Sequence, residues 1–429
     1  MDDSDGPAGP ADVLPEVTWA RSIGQVGPLA VSDDGNVVIA GAFNGSVSFD
    51  SDVLTSAGAS DVFVAQLDGN GVVTWTHQFG STGFDYAFSV AVDRASVYVA
   101  GEFSATVDFG KGPVTSSGST DACLIAFDGQ RNVSWVDTFG GSTNEAAYSV
   151  DFANGRVALT GEVDSNGVDY GGGPVTAQGN DVFVTTRDAA TGGYIDQRGI
   201  GGAQSDRDPV VALTAGGLVV SFDTQSDVDA GGGNMPTLGF LDTIVASYAP
   251  DGSYRWAKRF GTQDSGSEAL PRDVVVDADG NVTVVGFYDF APDFGGGPLP
   301  ADSAGAIFIA SLDSLGAHRW SRQLVQGQNR ARVAVDGAGN IYVATNFTEP
   351  LDLGTGPLAN AGLNDIVLAS FSASGALRWA RAYGTAGSDG VEDLAVDTSG
   401  QPWLIGMFGE SGSIEGTTVQ GPFIARLPR

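Results

Sequence analysis

Short apolar runs, broken by glycine- and aspartate-rich turns, fill almost the whole chain, and no useful length shows helical spacing. The stretch 61–103, DVFVAQLDGNGVVTWTHQFGSTGFDYAFSVAVDRASVYVAGEF, holds the unit that recurs. An apolar segment ends in a carboxylate-and-glycine turn; then come Trp, Phe-Gly, a polar loop and two more apolar segments. The anchor column reads Trp19, Trp75, Trp135, Asp196, Trp256, Trp320 and Trp379, at separations of 56 to 64 residues. Four residues after each anchor stands Ile23, Phe79, Phe139, Ile200, Phe260, Leu324 or Tyr383. A period of this length marks a repeat architecture whose units cannot bury a core alone.

Each repeat divides into four strands. In the second, strand a is predicted over Phe88 to Asp93, b over Val97 to Phe109, c over Asp121 to Phe127 and d over Val133 to Phe139. Strand c is apolar on both faces. In the segment Asp365 to Phe371, Val367, Ala369 and Phe371 point one way and Ile366 and Leu368 the other, which calls for cover on both sides. Four-stranded antiparallel sheets stacked around an axis supply that cover. Tight hairpins with Asp, Asn and Gly join a to b (DADGN at 277–281) and c to d (DGNG at 68–71). The longer b–c and d–a connections then share one face of the disc, where a rigid scaffold presents binding loops. Val17 to Ile23 has the signature of strand d and Pro422 to Leu427 that of strand c. The fold class is therefore all-β: a single seven-bladed β-propeller spanning 16–429, its N-terminal strand completing the C-terminal blade. Closure removes the two exposed sheet edges. With Asp196 in place of Trp and a c–d turn at 188–193 one residue longer, a distorted blade is expected around 181–240. In the fifth repeat Gly305 is aligned with Asp61, so strand c there lacks its leading Asp.

Charge narrows the partners. The chain carries 20 Lys plus Arg against 52 Asp plus Glu, a net of −32, which argues against nucleic acid and anionic membrane as ligands. The one cysteine, Cys123, precludes an intramolecular disulfide and reads as a small buried hydrophobe. No apolar run is long enough for a transmembrane helix. Residues 1–15, MDDSDGPAGPADVLP, read as a disordered acidic, Pro-rich linker, as expected of a mature chain stripped of its leader.

The phrases VDFGKGPVTSSGSTDACLIAFD (107–128), PDFGGGPLPADSAGAIFIASLD (292–313) and VVDADGNVTVVGFYDF (275–290) resemble the SBBP-type β-propeller repeats of bacterial surface and secreted proteins. That resemblance covers 16–429 and implies an extracellular or cell-surface location, with few known activities. AQLDGNGVVTW (65–75) and ASFSASGALRW (369–379) are also similar to the Trp-docking motif of pyrroloquinoline-quinone dehydrogenase propellers, a packing element that does not imply the quinone.

Several columns carry candidate chemistry. The Trp ladder reads as packing between blades. Two residues after the anchor come Arg21, His77, Asp137, Arg198, Lys258, Arg322 and Arg381, read as charges that guard the outer edge strand, with a cation stripe for acidic glycans as the rival. The histidines, His77 and His318, are too few for multi-His zinc and read as surface residues. In the d–a loops Asp85, Glu145, Asp206, Glu268 and Asp389 form a candidate ring around the central opening; oxygen-rich rings suit Ca²⁺, with solvated loop residues as the rival reading. Asp108, Asp169, Asp293 and Asp352, and the Asp that opens strand c, recur too often to be catalytic and read as caps on loop amides. The functional expectation is an exported or surface-displayed monomeric scaffold that recognises a protein or glycan on its long-loop face. The alternatives are a hydrolase or lyase acting through acidic residues at the central cleft, and a structural module of a surface assembly.

Overall fold

The computed structural model describes residues 18–94, 96–164, 166–264 and 266–429, so the predicted linker at 1–15 and the first residue of the N-terminal strand lie outside the described residues. Among the described residues are seven four-stranded antiparallel sheets and three small two-stranded ones. In the second blade the strands are Tyr86–Val92 (a), Val97–Phe103 (b), Asp121–Phe127 (c) and Val133–Phe139 (d), hydrogen-bonded in the order d-c-b-a. Strands a line the axis and strands d form the outer edge. Asp61–Leu67, Asp121–Phe127, Asp242–Tyr248 and Asp365–Phe371 are buried along their whole length, as a strand sandwiched between neighbouring blades must be.

The ring closes as the pattern predicts. Trp19–Ser22 pairs antiparallel with Thr417–Arg426, Trp19 opposite Arg426, and completes the sheet that holds Gly390–Val396 and Pro402–Ile414. Trp19 meets Trp403 edge to face at 5.4 Å. The loops share a face as expected: Thr120, at the end of one b–c connection, bridges to Asn144 in the next d–a loop.

Three expectations change. Strand b stops at Phe103, because Ala105 at φ 56° turns the chain into a small hairpin, Thr106–Asp108 with Pro113–Thr115. The alternating Val107 and Phe109 belong to that hairpin and are buried against the blade. The blades around 181–240 are complete, with c–d pairing from Val182 opposite Ile200 to Arg187 opposite Tyr194. Only the turn is longer there: the Asp188 amide bonds to the Gly193 carbonyl, where its counterpart Asp68 reaches Val72. In the fifth blade Ala306, not Gly305, pairs at the Asp61 position, and Asp302 reaches the Ala304 amide instead.

At the outer rim four of the anchors dock on the c–d turn of the following blade. Trp19 Nε1 donates to Gly69 O at 2.9 Å, Trp135 to Ala189 O at 3.0 Å, Trp256 to Ser314 O at 3.0 Å and Trp320 to Ala373 O at 3.2 Å. Gly71 shows why the turn ends in glycine: its φ is 81°, and a Cβ there would lie 2.8 Å from the Trp19 ring. The indoles are half-buried, apart from the buried Trp256. The charges two residues on belong to the same joint. Arg21 donates to Gly71 O at 2.6 Å, and Arg322 donates to Gly375 O. At the joint between the second and third blades the polarity is reversed: Asp137 takes the cation's place and pairs at 2.8 Å with Arg187, a buried residue of the following blade. The charge column therefore fastens blade to blade.

Candidate functional site: the mouth of the axial channel

The predicted acidic ring is seated in the loops, each member in its own blade. Asp85 accepts the Ser81 and Ser104 amides at 2.6 and 3.1 Å. Glu145 accepts from Gly141 at 2.6 Å, Asp206 from Gly202 at 2.8 Å, and Asp389 from Thr385 and Gly409 at 2.5 and 2.8 Å. These four side chains are buried; Glu268 alone is half-open and borders a groove with Arg272 and Phe287. Burial lifts the Asp206 carboxyl to about 6. Among the described residues no three His, Cys, Asp or Glu side chains gather as a metal-binding group.

The other repeated acids cap turns. Asp108 accepts the Gly110 and Gly112 amides, and Asp169, Asp293 and Asp352 do the same two and four residues on. Asp61, Asp121, Asp181, Asp242 and Asp365 each accept a loop amide three or four residues back. Asp277 of DADGN accepts from Asp279 and Asn281 as a hairpin cap. His77 is half-buried: it packs 4.6 Å from Phe79, and desolvation lowers its pKa. Cys123 is buried, which pushes its thiol far up.

The strands a enclose an axial channel of about 420 Å³. As the inner edge of each sheet they present unpaired backbone amides, and polar side chains from the preceding blade meet several of them. Ser89 Oγ accepts the Val150 amide at 3.1 Å and Ser149 Oγ that of Val211 at 3.2 Å. Asp151 accepts from Leu213 at 2.6 Å, Asp273 from Val333 at 2.9 Å, and Asp393 from Leu29 at 2.8 Å. Desolvation raises all three carboxyls, Asp151 to about 6 and Asp273 to about 7.

On the long-loop side of this belt strand a is bulged in five blades, and a bulge re-aims a side chain. The register breaks fall at Phe88, Tyr148, Asp208, Arg272 and Glu392. Asp208 takes φ 50°, a strained value for a non-glycine residue. Phe88, Tyr148, Arg272 and Glu392 line the channel. The column contains two aromatics, two acids and one base, where the outer rim repeats. One position before the end of strand b, Glu102, Glu162 and Asp223 add acids on three successive blades. Burial raises each carboxyl, that of Asp223 to about 7.

Register taken from the Trp column does not bring these residues forward, because the bulge shifts them out of phase with strand d. The signal available in the sequence was departure from the repeat: FDYAF at 84–88 has no aromatic equivalent at the corresponding positions of the fourth, fifth or seventh unit.

No protein-family model matches the chain, and no curated protein does. Among solved structures, hydrazine synthase of Kuenenia stuttgartiensis aligns at TM-score 0.46 and 12% identity, over 88% of this chain and 92% of that one. The WD40 β-propeller domain of Doa1 aligns at 0.45 and 10%, over 96% of both. Quinohemoprotein alcohol dehydrogenase of Comamonas testosteroni aligns at 0.40 and 12%, over 96% of this chain and 77% of that one. Likenesses this distant say nothing about activity; the chain is a seven-bladed β-propeller with its ring closed by the N-terminal strand.

Proposed function

We propose that this propeller is a binding scaffold whose ligand, a protein or a glycan, seats on the long-loop face over the channel mouth. The observation that carries the reading is the bulged column. Five blades of one repeated design place residues of three chemical kinds at the bulge, and Phe88, Tyr148, Arg272 and Glu392 among them line the channel. Repetition serves packing, and a repeat abandoned at one re-aimed position marks selection for something other than packing. The acids most repeated along the chain are engaged by loop amides, which leaves the mouth as the region with uncommitted chemistry. An exported or surface location accords with the SBBP-like phrases at 107–128 and 292–313.

Screening on glycan and peptide arrays tests the reading, using three forms of the protein. One is unaltered, one carries Phe88→Ala with Tyr148→Ala at the mouth, and one carries Leu315→Ser on a hairpin of the opposite face. Signals lost in the mouth variant and kept in Leu315→Ser are expected. Equal signals from both variants, or none from the unaltered protein, would sink it.

A further inference from the structure

The acids of the channel mouth are neutralised on one side and left bare on the other. From the fourth to the seventh blade four have a guanidinium partner: Asp223 with Arg207 at 3.6 Å, Asp208 with Arg272 at 2.7 Å, Glu392 with Arg330 at 2.6 Å, Asp393 with Arg332 at 3.4 Å. Between the second and third blades Glu102 and Glu162 line a cleft of about 440 Å³, with Asp164, Asn144, Asn180 and Tyr148 among its other walls and no Lys or Arg. Neither glutamate forms an ion pair among the described residues. Glu162 accepts from the Asn180 side chain and, at 3.1 Å, from the Asp208 amide; Glu102 has the Thr120 hydroxyl. Arg207 acts on Glu162 from the fourth blade but is committed to Asp223. Desolvation raises both carboxyls, and Asp85 adds repulsion at Glu102 while Asp208 adds it at Glu162. A partly buried carboxylate without a counter-charge is costly.

An aromatic row leads into this cleft. Phe84, 55% exposed at the rim, lies 6.3 Å from Tyr86 with ring planes 5° apart. Tyr86 is 5.9 Å from Phe88 at 11°, and Phe88 is 5.1 Å from Tyr148, the cleft wall on the next blade. An aromatic face beside bare carboxylates complements an organic cation with an apolar stem. The stem packs on the rings, the charged head sits against a ring face, and the carboxylates pair with it. A neutral glycan would cover the rings but leave both glutamates without a counter-charge, and an anionic one would add repulsion. The net charge of −32 steers cations toward the same mouth.

Resting on the long-loop face as the binding face, we propose that the cleft between the second and third blades seats a lysine or arginine side chain of a basic protein segment laid along Phe84, Tyr86 and Phe88. Fluorescence anisotropy with a labelled peptide of alternating lysine and alanine tests this, against a glutamine–alanine peptide and a neutral N-acetylated amino-sugar oligomer. The variants are Glu102→Gln with Glu162→Gln, Tyr148→Leu, and an equal loss of charge on the opposite face, Asp33→Asn with Asp279→Asn. Their thermal midpoints show whether each is folded. The cleft variants are expected to weaken the lysine peptide by about tenfold or more, and the opposite-face control by less than about twofold. Binding should also weaken as pH falls and the raised carboxyls take up protons. Equal weakening in cleft and control variants would reduce the effect to general attraction by an acidic surface and overturn the proposal. Binding of the neutral oligomer, lost in Tyr148→Leu but kept in Glu102→Gln with Glu162→Gln, would overturn the cationic ligand while leaving the binding face standing. If no probe binds the unaltered protein, both readings fall.

Discussion

Two seams run around this ring, and both join the same pairs of blades. At the outer seam an indole and a cation from strand d reach the next blade's turn, and the joint recurs with the same partners. At the inner seam a side chain from one strand a meets the bare edge of the next, by Ser at one joint, Asp at another, and nothing equivalent where Pro28, Val210 or Arg332 stands. The outer seam has one task, to keep stacked sheets in register, and one solution, the indole on the next turn, serves at four joints. The inner seam borders the axial channel, and residues there can be exchanged without unstacking the blades. Variation concentrates where packing does not forbid it.

The largest expected effect comes from opening the ring. Deleting residues 1–23 removes the strand paired with Thr417–Arg426 and unseats Trp19 from Trp403. The loss should approach the whole stability of a folded domain, about 5–15 kcal/mol, seen as aggregation or a lost cooperative transition. A two-state unfolding curve with an unchanged midpoint would show that closure is dispensable. Next is the inverted outer joint. Asp137→Ala leaves Arg187 buried without its partner, at a cost of about 3–5 kcal/mol. Replacing both, Asp137→Leu with Arg187→Met, should recover most of that in urea titrations. Recovery no better than the single variant would mean that Arg187 acts through its bonds to Tyr170 O and Thr185 rather than through Asp137. Third, Trp135→Ala should cost about 2–3 kcal/mol, less than a fully buried Trp, because the indole is half-open.

The smallest effect belongs to the inner seam and has the opposite sign. Asp273 and Asp223 reach about 7 and Asp151 about 6 in the folded protein, each well above the ordinary carboxyl range. The folded state therefore binds protons that the unfolded state has released, and stability rises as pH falls from 8 through 6. Asp50 and Asp397 are shifted down, and their opposite contribution is felt only at more acidic pH. The thermal midpoint should be a few degrees higher at pH 5.5 than at pH 8, and Asp151→Asn with Asp273→Asn should flatten the difference. A midpoint that falls over that range would place these carboxylates in a better-compensated setting.

What could be read from residues alone follows the same division. Blade number, closure and the hairpin turns recur in the sequence because one packing problem is solved repeatedly, and Trp19, Trp75 and Trp135 announce it. The ends of strands are less legible. Val107 and Phe109 continue an apolar alternation that strand b has already left, because the turn at Ala105 depends on backbone angle and not on side-chain pattern. Asp85, Glu145, Asp206 and Asp389 stand five residues after a glycine in every reading of the loop. Only the fold shows that loop amides converge on them. The mouth was least legible, since a bulge moves Phe88 and Tyr148 across the phase of the repeat.

The pairing of Trp19 with Arg426 also sets a schedule. Of the strands of the ring, the one that emerges first is among the last to find its partner, so it must remain unpaired while six blades form between. Contacts between such distant positions are slow to form, and an unpaired strand invites the wrong neighbour in the meantime. A permuted chain, opened at a hairpin such as 68–71 with the old termini joined, would let that strand meet its sheet in mid-sequence. It would shift the hazard to another blade.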